Sequence, residues 1–220
     1  MLEKMSRFFE ARLDGYDEHM MTEIESATEF YPFTAQSLPK WENCRILDLG
    51  CGTGLELEAF LPLCPSAQIT GIDLSEKMLE ALQKKLPDSN LNLICGSYFD
   101  VPFGEECFDG AVSVESLHHF PQEAKIPLYA KLWRALKPGG YFILTDYFAP
   151  SDAEEQTYFE GLARLKAEQG ITDDAFYHYD TPLTVAHETE ALLAAGFSSV
   201  EELNRWGATH TLKAEKENRK

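Results

Sequence analysis

The chain has 220 residues, of which 44% are hydrophobic and 12% aromatic, and it carries a formal net charge of −18. This apolar content suits one domain with a buried core and argues against disorder of the whole chain, while the negative charge disfavours unspecific binding to the phosphate backbones of DNA and RNA. The sequence lacks the run of about eighteen apolar residues that a membrane span needs, and its N-terminus lacks the apolar region and cleavage site of a secretory signal.

Short apolar runs alternate with helical patterns along the chain, which predicts a mainly parallel sheet flanked by helices. Residues 3–31 are predicted to be helical and to pack over one mouth of the sheet, with Thr22 three residues before Glu25 as in a capping box. The seven predicted strands are residues 45–49, 68–74, 91–95, 108–114, 141–146, 199–204 and 208–214. The predicted intervening helices run from about residue 54 to 62 or 65, from 75 to about 86, from 122 to 136, from 151 to 170 and from 184 to 195.

The last two strands are separated only by a tight turn at Gly207, so they must run antiparallel. We therefore expect an α/β fold: a doubly wound, mostly parallel seven-stranded sheet with one antiparallel strand at or near its edge and helices on both faces. Residues 1–220 form a single domain in this prediction, with an N-terminal helical cap (1–40). A helical lid insertion (148–182) follows the fifth strand, and its helix begins at Ser151, three residues before Glu154.

The strongest functional signal follows the first strand, where residues 48–54 read DLGCGTG. Glycines at Gly50 and Gly52 tolerate positive φ and let the backbone approach a ligand closely, and the next helix begins with free N–H groups. The spacing G-x-G-x-G differs from the G-x-G-x-x-G of dinucleotide enzymes, which argues against a pyrophosphate ligand. One strand later, Asp73 can accept hydrogen bonds from both hydroxyls of a ribose.

These residues resemble motif I and the following acidic strand end of class I S-adenosylmethionine-dependent methyltransferases, a similarity that extends over residues 16–214. The chain is similar to the subset that acts mainly on small molecules and includes quinone-biosynthesis methyltransferases. The resemblance implies S-adenosylmethionine (SAM) as the cofactor. It places the methionine moiety of SAM at Asp48 and at the backbone of Gly50 and Gly52, and it places the ribose at Asp73.

Other cofactor contacts follow from the same resemblance. The family's acidic residue for the adenine amino group is replaced here by Ser97, a weaker acceptor than a carboxylate, and Tyr98 could lie beside the adenine ring instead. Tyr16 matches a Tyr-Asp motif whose tyrosine commonly closes over the methionine end of the cofactor, although an amphipathic helix with ordinary surface residues is an equal alternative. The remaining expected cofactor contacts are Cys51, Leu74 and Ser113.

In this family, the segment corresponding to residues 113–120 passes beside the sulfonium and faces the acceptor. His118 and His119 are the candidate general bases because imidazole titrates near neutral pH, with ordinary pocket lining as the alternative. The insertion could arch over a flat or apolar small-molecule acceptor, or its aromatic residues could simply pack in a core. Those residues are Tyr158, Phe159, Phe176, Tyr177, His178 and Tyr179.

The cysteines are odd in number and form no C-x-x-C pair. Such usage is typical of a reducing compartment, so we expect a cytoplasmic protein with neither a disulfide framework nor a metal site. The five positions are Cys44, Cys51, Cys64, Cys95 and Cys107.

The sequence leaves three alternatives to a methyltransferase. Against a dinucleotide-dependent oxidoreductase, this chain lacks the third glycine at the spacing of the dinucleotide-binding motif. An enzyme resembling carboxy-SAM synthases needs a basic residue for the added carboxylate, and residues 98–120 contain no Arg or Lys. A non-catalytic nucleoside-binding module is opposed by the intact glycine turn and by Asp73. The sequence leaves both a monomer and a homodimer open.

Overall fold

The computed structural model of the chain describes residues 1–173 and 175–219. Asp174, inside the predicted lid insertion, and Lys220 lie outside the described residues. None of the helices in the described part of the chain has a stretch long and apolar enough to cross a membrane.

The centre of the molecule is a seven-stranded sheet with the order β3-β2-β1-β4-β5-β7-β6. Its strands are β1 (Arg45–Leu49), β2 (Gln68–Asp73), β3 (Asn90–Cys95), β4 (Phe108–Val114), β5 (Leu136–Tyr147), β6 (Ser199–Trp206) and β7 (Thr209–Glu215). β7 pairs antiparallel with both of its neighbours, whereas the pairs among β1 to β5 are parallel. The predicted topology, with one reversed strand next to an edge, is confirmed.

Helices cover both faces of the sheet. They are α1 (Met5–Glu10), α2 (Tyr16–Glu23), α3 (Ala27–Ser37), α4 (Leu55–Phe60), α5 (Glu76–Lys85), α6 (Gln122–Ala135), α7 (Asp152–Glu168) and α8 (Val185–Ala194). One core cluster joins β-strand residues to α3, α4 and α5, with Phe30 and Phe60 fully buried. The other joins the opposite face to α6 and α8 around Tyr129 and Leu192. The doubly wound prediction is therefore confirmed.

The N-terminal segment differs from the single helical stretch expected over residues 3–31. Gly15 and Ser26 adopt left-handed φ angles of 83° and 60°, and these interrupt the helix and produce α1, α2 and α3. Thr22 lies inside α2, where its hydroxyl donates to the carbonyl of Glu18 at 2.8 Å. The expected capping box at Thr22 was therefore wrong, because the threonine bonds back within its own helix.

β5 also begins earlier than the expected residue 141. Leu136 already pairs with Phe108, and the register then shifts before Gly110 pairs with Tyr141. Gly139 (φ 75°) absorbs the bend, and its N–H donates to the carbonyl of Lys216 just beyond β7. The residues that follow α6 thus extend the inner strand β5 instead of forming a separate loop.

The N-terminal segment and the insertion after β5 are joined to each other. The N–H of Met5 donates to the carbonyl of Phe176 at 3.0 Å, and the N–H of His178 donates to the carbonyl of Glu3 at 2.9 Å. The insertion begins with α7, which Ser151 caps by accepting from the N–H of Glu154, as the sequence predicts. Together these segments cover the carboxyl ends of β4 and β5.

Candidate active site

The turn after β1 has a backbone that glycine makes possible. Gly50 and Gly52 have φ angles of 78° and 47°, in the left-handed region that disfavours side chains. A Cβ at residue 50 would lie 2.1 Å from Oγ of Ser116, so this glycine is required by packing. A Cβ at residue 52 would meet no atom of the described residues within 4 Å, apart from its chain neighbours. The turn therefore presents open space at Gly52, where a ligand can approach the backbone.

Two buried carboxyl groups stand beside this turn. Asp48 at the end of β1 is 1% exposed, and neither of its carboxylate oxygens has a hydrogen-bond partner among the described residues. Glu56, in the first turn of α4, is also buried, and its Oε1 likewise lacks a partner within this part of the chain. Burial and then the charge of Glu56 raise the pKa of Asp48 well above its usual range. Such a pair is matched by a ligand that brings positive charge or hydrogen-bond donors.

Asp73 is held at the end of β2. Its Oδ2 accepts from the N–H of Gly52 at 2.9 Å, and its Oδ1 accepts from the N–H of Ser75 at 2.8 Å. Burial raises the pKa of Asp73, and these backbone hydrogen bonds oppose the rise. Each carboxylate oxygen keeps further acceptor capacity, so the group remains able to bind hydroxyls.

Cys51 and Leu74 flank these acidic residues but contribute apolar surface. Cys51 is 2% exposed, and burial raises the pKa of its thiol well above the usual range. Leu74 is partly buried against the core. Their expected cofactor contacts stay predictions.

Ser97, Tyr98 and Ser113 have their polar atoms engaged within the protein. Ser97 Oγ accepts from the N–H of Phe99 at 3.2 Å in the turn after β3. Tyr98 is buried, with its hydroxyl 3.3 Å from Oγ of Ser116. Ser113 is fully buried and donates to the carbonyl of Leu49 at 2.8 Å. These bonds shape the floor of the turn, and the direct cofactor contacts expected of the three side chains stay predictions.

α2 is fastened to the glycine turn through Asp17. Thr53 Oγ1 donates to Asp17 Oδ1 at 2.5 Å, and Lys85 Nζ of α5 donates to Asp17 Oδ2 at 2.5 Å. The preceding residue, Tyr16, is thereby placed between the turn and a neighbouring cavity. Burial and then the charge of Asp73 raise the pKa of Tyr16 above its usual range.

We expect Asp17→Ala to loosen α2 without unfolding the sheet, because it removes the acceptor for two hydrogen bonds together worth about 1–2 kcal/mol. Hydrogen exchange of the α2 amides should then be about 5–30 times faster, since 1–2 kcal/mol corresponds to that factor in an equilibrium constant. Exchange measured by mass spectrometry checks this, with the exposed neighbour Glu18→Ala as the matched control. Equal exchange in Asp17→Ala and in the unchanged protein would contradict the fastening role.

A cavity of about 790 Å³ lies next to the glycine turn, because Glu115 lines it and the following residue, Ser116, packs against Gly50. Its walls come from α1 and α2, the segment after β4, the end of the insertion and the β6–β7 turn. Side chains that line it include Phe8, Phe9, Arg12, Tyr16, Glu115, His118, His119, Tyr147, His178, Asp180, Trp206 and Thr209.

The aromatic wall differs from the expected lid. Of the insertion's six candidate rings, His178 lines the cavity, and it stacks on Phe8 with ring centroids 3.4 Å apart. Tyr158 instead bonds Tyr147 through the two hydroxyls at 2.6 Å. Among the described residues, three of the five Phe, Tyr and Trp side chains that line the cavity come from the N-terminal segment, namely Phe8, Phe9 and Tyr16.

His118 and His119 lie at the floor of the cavity in a short 3-10 helix, Leu117–His119. Nδ1 of His118 is 2.6 Å from Oδ1 of Asp146, a buried carboxylate at the end of β5. Burial would lower the pKa of His118, but the carboxylate of Asp146 raises it well above its usual range. For His119, burial and the neighbouring His118 lower the pKa.

Two further carboxylates complete this region. Asp180 Oδ1 is 3.3 Å from Nδ1 of His119 and 3.6 Å from Nε2 of His118. Glu115 has a φ of 48° and accepts from Thr209 Oγ1 at 3.2 Å, and burial followed by the charge of Asp146 raises its pKa to about 7.

The sequence prediction named the two histidines, in a segment that also contains Glu115, but it did not name Asp146, Asp180 or Glu56. Asp146 could have been found as another acidic residue at the carboxyl end of a predicted strand. Glu56 could have been found from its place in the first turn after the glycines. Asp180 offers no such local signal.

Comparisons with known proteins agree with this arrangement. Residues 46–140 match the family model described as a methyltransferase domain. The 24-methylenesterol C-methyltransferase 3 of Arabidopsis thaliana is 32% identical over 136 residues, which are 58% of this chain and 37% of that protein. The 27-O-demethylrifamycin SV methyltransferase of Amycolatopsis mediterranei is 32% identical over 145 residues, which are 63% of this chain and 52% of that protein. The chain thus spans 37% and 52% of the length of these two relatives.

A solved structure shares the fold. Human N-acetylserotonin methyltransferase in complex with SAM superimposes with a TM-score of 0.62 at 17% identity, over 96% of this chain and 55% of that one. Residues 46–140 thus resemble a methyltransferase domain, and the fold is that of the class I S-adenosylmethionine-dependent methyltransferases.

The cofactor of this class is SAM, and the residues beside the glycine turn fit it. SAM carries a sulfonium and an α-ammonium group, which are both cations. The unpartnered oxygens of Asp48 and Glu56 offer the matching negative charge, and the open space at Gly52 offers room. A group that supplies cations and hydroxyls therefore suits this part of the structure.

Proposed function

We propose that the protein is an enzyme that transfers the methyl group of SAM to a small-molecule acceptor bound in the 790 Å³ cavity. The observation that carries the proposal is the adjacency of two sites. Glu115 lines the cavity and the next residue, Ser116, packs against Gly50, so the open glycine turn and the cavity adjoin. The curated relatives named above act on small molecules according to their names, which supports the same class of acceptor.

Residue roles at the cofactor follow from the contacts described. Asp48 and Glu56 would hold the cationic methionine end, and Asp73 would accept hydrogen bonds from the ribose hydroxyls. Gly50 and Gly52 allow the backbone to approach, and Tyr16 would close over the methionine end. Cys51, Leu74, Ser97, Tyr98 and Ser113 would shape the remaining surface.

When bound, the cofactor supplies a methyl group already activated by its sulfonium. The protein then has to orient the acceptor and exclude water, and such positioning accounts for about 7–11 kcal/mol in well-ordered systems. α1, α2 and the end of the insertion roof the cavity and limit access of water. His118 and His119 are proposed to contact the nucleophilic atom of the acceptor, because both line the cavity floor.

The first test is binding of S-adenosylhomocysteine, the demethylated cofactor, by calorimetry. The second incubates the protein with SAM and a metabolite extract and searches by mass spectrometry for a product one methyl group heavier. Asp73→Ala is expected to lose both signals, and Asp109→Asn, at the amino end of β4, is expected to keep both. Absence of binding at millimolar S-adenosylhomocysteine would contradict the proposal.

The alternatives appear as distinct outcomes of the same tests. Tight binding without any product across extracts would favour a non-catalytic nucleoside-binding module. A carboxylated cofactor in the reaction mixture would favour the carboxy-SAM alternative. The carboxy-SAM alternative needs a basic residue for the added carboxylate. Arg12 lines the cavity, but its guanidinium already donates to Glu3 Oε1 at 3.2 Å and lies over the ring of Phe8.

We also propose a cytoplasmic location and no nucleic acid partner. The net charge of −18 and the five free cysteines support these two points. The proposed acceptor is a single small molecule, and the proposal requires no second subunit.

A further inference from the structure

Three potential metal ligands converge at the floor of the cavity. One nitrogen of His118, one nitrogen of His119 and one oxygen of Asp180 all lie within 4.8 Å of one another. The histidines are adjacent in the chain, and Asp180 comes from the far end of the insertion. The cysteine pattern predicted no metal site, and this cluster of ligands contains no cysteine.

The spacing of Asp180 Oδ1 from the two imidazole nitrogens suits an ion between them better than direct hydrogen bonds, and Nδ1 of His119 also lies 3.2 Å from the carbonyl oxygen of Tyr179. Asp180 Oδ1 is 3.3 Å from His119 Nδ1 and 3.6 Å from His118 Nε2. Direct hydrogen bonds between charged nitrogen and oxygen atoms are usually about 2.7–2.9 Å long. Two ligands bound at about 2.0–2.1 Å to one tetrahedral ion are about 3.3–3.4 Å apart.

The groups behind these ligands also match a metal site. Metal-binding histidines commonly donate their second ring N–H to a carboxylate, which fixes the ring and the tautomer. His118 does so through Nδ1 to Asp146, and this leaves Nε2 directed to Asp180. Asp146 is itself held, because its Oδ2 accepts from the N–H of Leu117 at 2.9 Å.

Asp180 is positioned by the backbone on its C-terminal side. The N–H of Thr181 donates to the carbonyl of His118 at 2.8 Å, and Thr181 is fully buried. The side chain of Asp180 is 47% exposed and lines the cavity. The three potential metal ligands are therefore held by the protein on one side and face the cavity, where an acceptor would lie, on the other.

We propose that His118, His119 and Asp180 bind one divalent transition metal ion of the zinc type, with an open coordination position toward the cavity. Two imidazoles and one carboxylate suit such ions, and three protein ligands with an open position are typical of catalytic sites. The role of the ion rests on the proposed function: it holds an oxygen or nitrogen atom of the acceptor. A coordinated hydroxyl loses its proton to water more readily, which makes it a better methyl acceptor.

Metal binding can be measured without the acceptor. Protein stripped with a chelator is titrated calorimetrically with ZnCl₂, and with CoCl₂ while the visible absorption of cobalt is followed. We expect one ion per chain and a cobalt spectrum of four-coordinate type. Asp180→Asn and His119→Ala should weaken binding by about 100-fold or more, and Asp146→Asn should weaken it by about 10–100-fold.

His19→Ala is the matched control, because His19 lines the same cavity outside the ligand set. It should bind zinc like the unchanged protein. Asp180 is part-exposed, so Asp180→Asn should fold and should still bind S-adenosylhomocysteine. That retained binding separates a failure of the metal site from a failure of the proposed function. Absence of stoichiometric zinc binding, or equal affinity in Asp180→Asn and the unchanged protein, would overturn the proposal.

Discussion

Asp48→Asn is expected to raise the melting temperature of the free protein and to weaken its binding of S-adenosylhomocysteine. Both carboxylate oxygens of Asp48 are buried without a partner among residues 1–173 and 175–219. A neutral amide of the same shape has a smaller desolvation penalty and is not repelled by Glu56. We expect a gain of about 1–2 kcal/mol, which corresponds to about 2–8 °C for a chain of this size.

The same substitution removes a negative charge that the cofactor's methionine end would meet. Hydrogen bonds to charged groups contribute about 1.5–3 kcal/mol, so the dissociation constant of S-adenosylhomocysteine should rise by about 10–150-fold. Stability and affinity thus change in opposite directions. Calorimetric melting and titration on one sample measure both.

The stability gain should depend on pH. Because burial raises the pKa of Asp48 above its unfolded value of about 3.9, the folded chain binds more protons than the unfolded one. Stability from this group is present below pH about 4 and is lost as the pH rises through the raised folded pKa. The advantage of Asp48→Asn should therefore grow as the pH rises from about 4.

Asp109→Asn is the matched control for stability. Asp109 accepts from the N–H of Arg45 at 2.8 Å and from Lys137 Nζ at 2.7 Å, so its carboxylate is partnered. Its asparagine variant should melt at a lower temperature and bind S-adenosylhomocysteine normally. The account of Asp48 fails if Asp48→Asn melts lower than the unchanged protein at every pH.

Glu188→Leu is expected to cause the largest loss of stability. Glu188 of α8 and Lys125 of α6 are each 1% exposed, and Lys125 Nζ donates to Glu188 Oε2 at 2.5 Å. The hydroxyl of Tyr129 donates to the other carboxylate oxygen. Removing one partner of a buried pair leaves an uncompensated charge and costs about 3–5 kcal/mol. The melting temperature should fall by about 6–20 °C.

The double variant Lys125→Met/Glu188→Leu should recover most of that loss, because apolar groups of similar volume need no partner. Glu80→Gln is the control for an exposed pair, because Glu80 lies 3.9 Å from Lys84 at the surface. The free energy of unfolding of this variant should lie within about 1 kcal/mol of that of the unchanged protein. Urea denaturation of the four proteins gives the comparison. A double variant less stable than Glu188→Leu alone would contradict this explanation.

Local sequence patterns were sufficient for most of the fold. β1 and β4 occupy the predicted residues 45–49 and 108–114, because buried strands of a parallel sheet appear as continuous apolar runs. The reversed β7 followed from the short turn at Gly207 alone. The prediction of one continuous helix over residues 3–31 was wrong in part because of Ser26. This serine has a φ of 60°, a left-handed conformation that serine rarely adopts, and it separates α2 from α3.

The sequence by itself determined the sheet, the glycine turn and the acidic residues Asp48 and Asp73, since each depends on neighbours within a few positions. Only the tertiary structure decided what surrounds the histidines. Asp146 is 28 positions from His118, and Tyr179, next to Asp180, is 60 positions from His119. The pairing of β4 with β5 and the return of the insertion along α1 bring these groups together. No periodicity of the chain encodes such contacts, because they arise from the packing of distant segments.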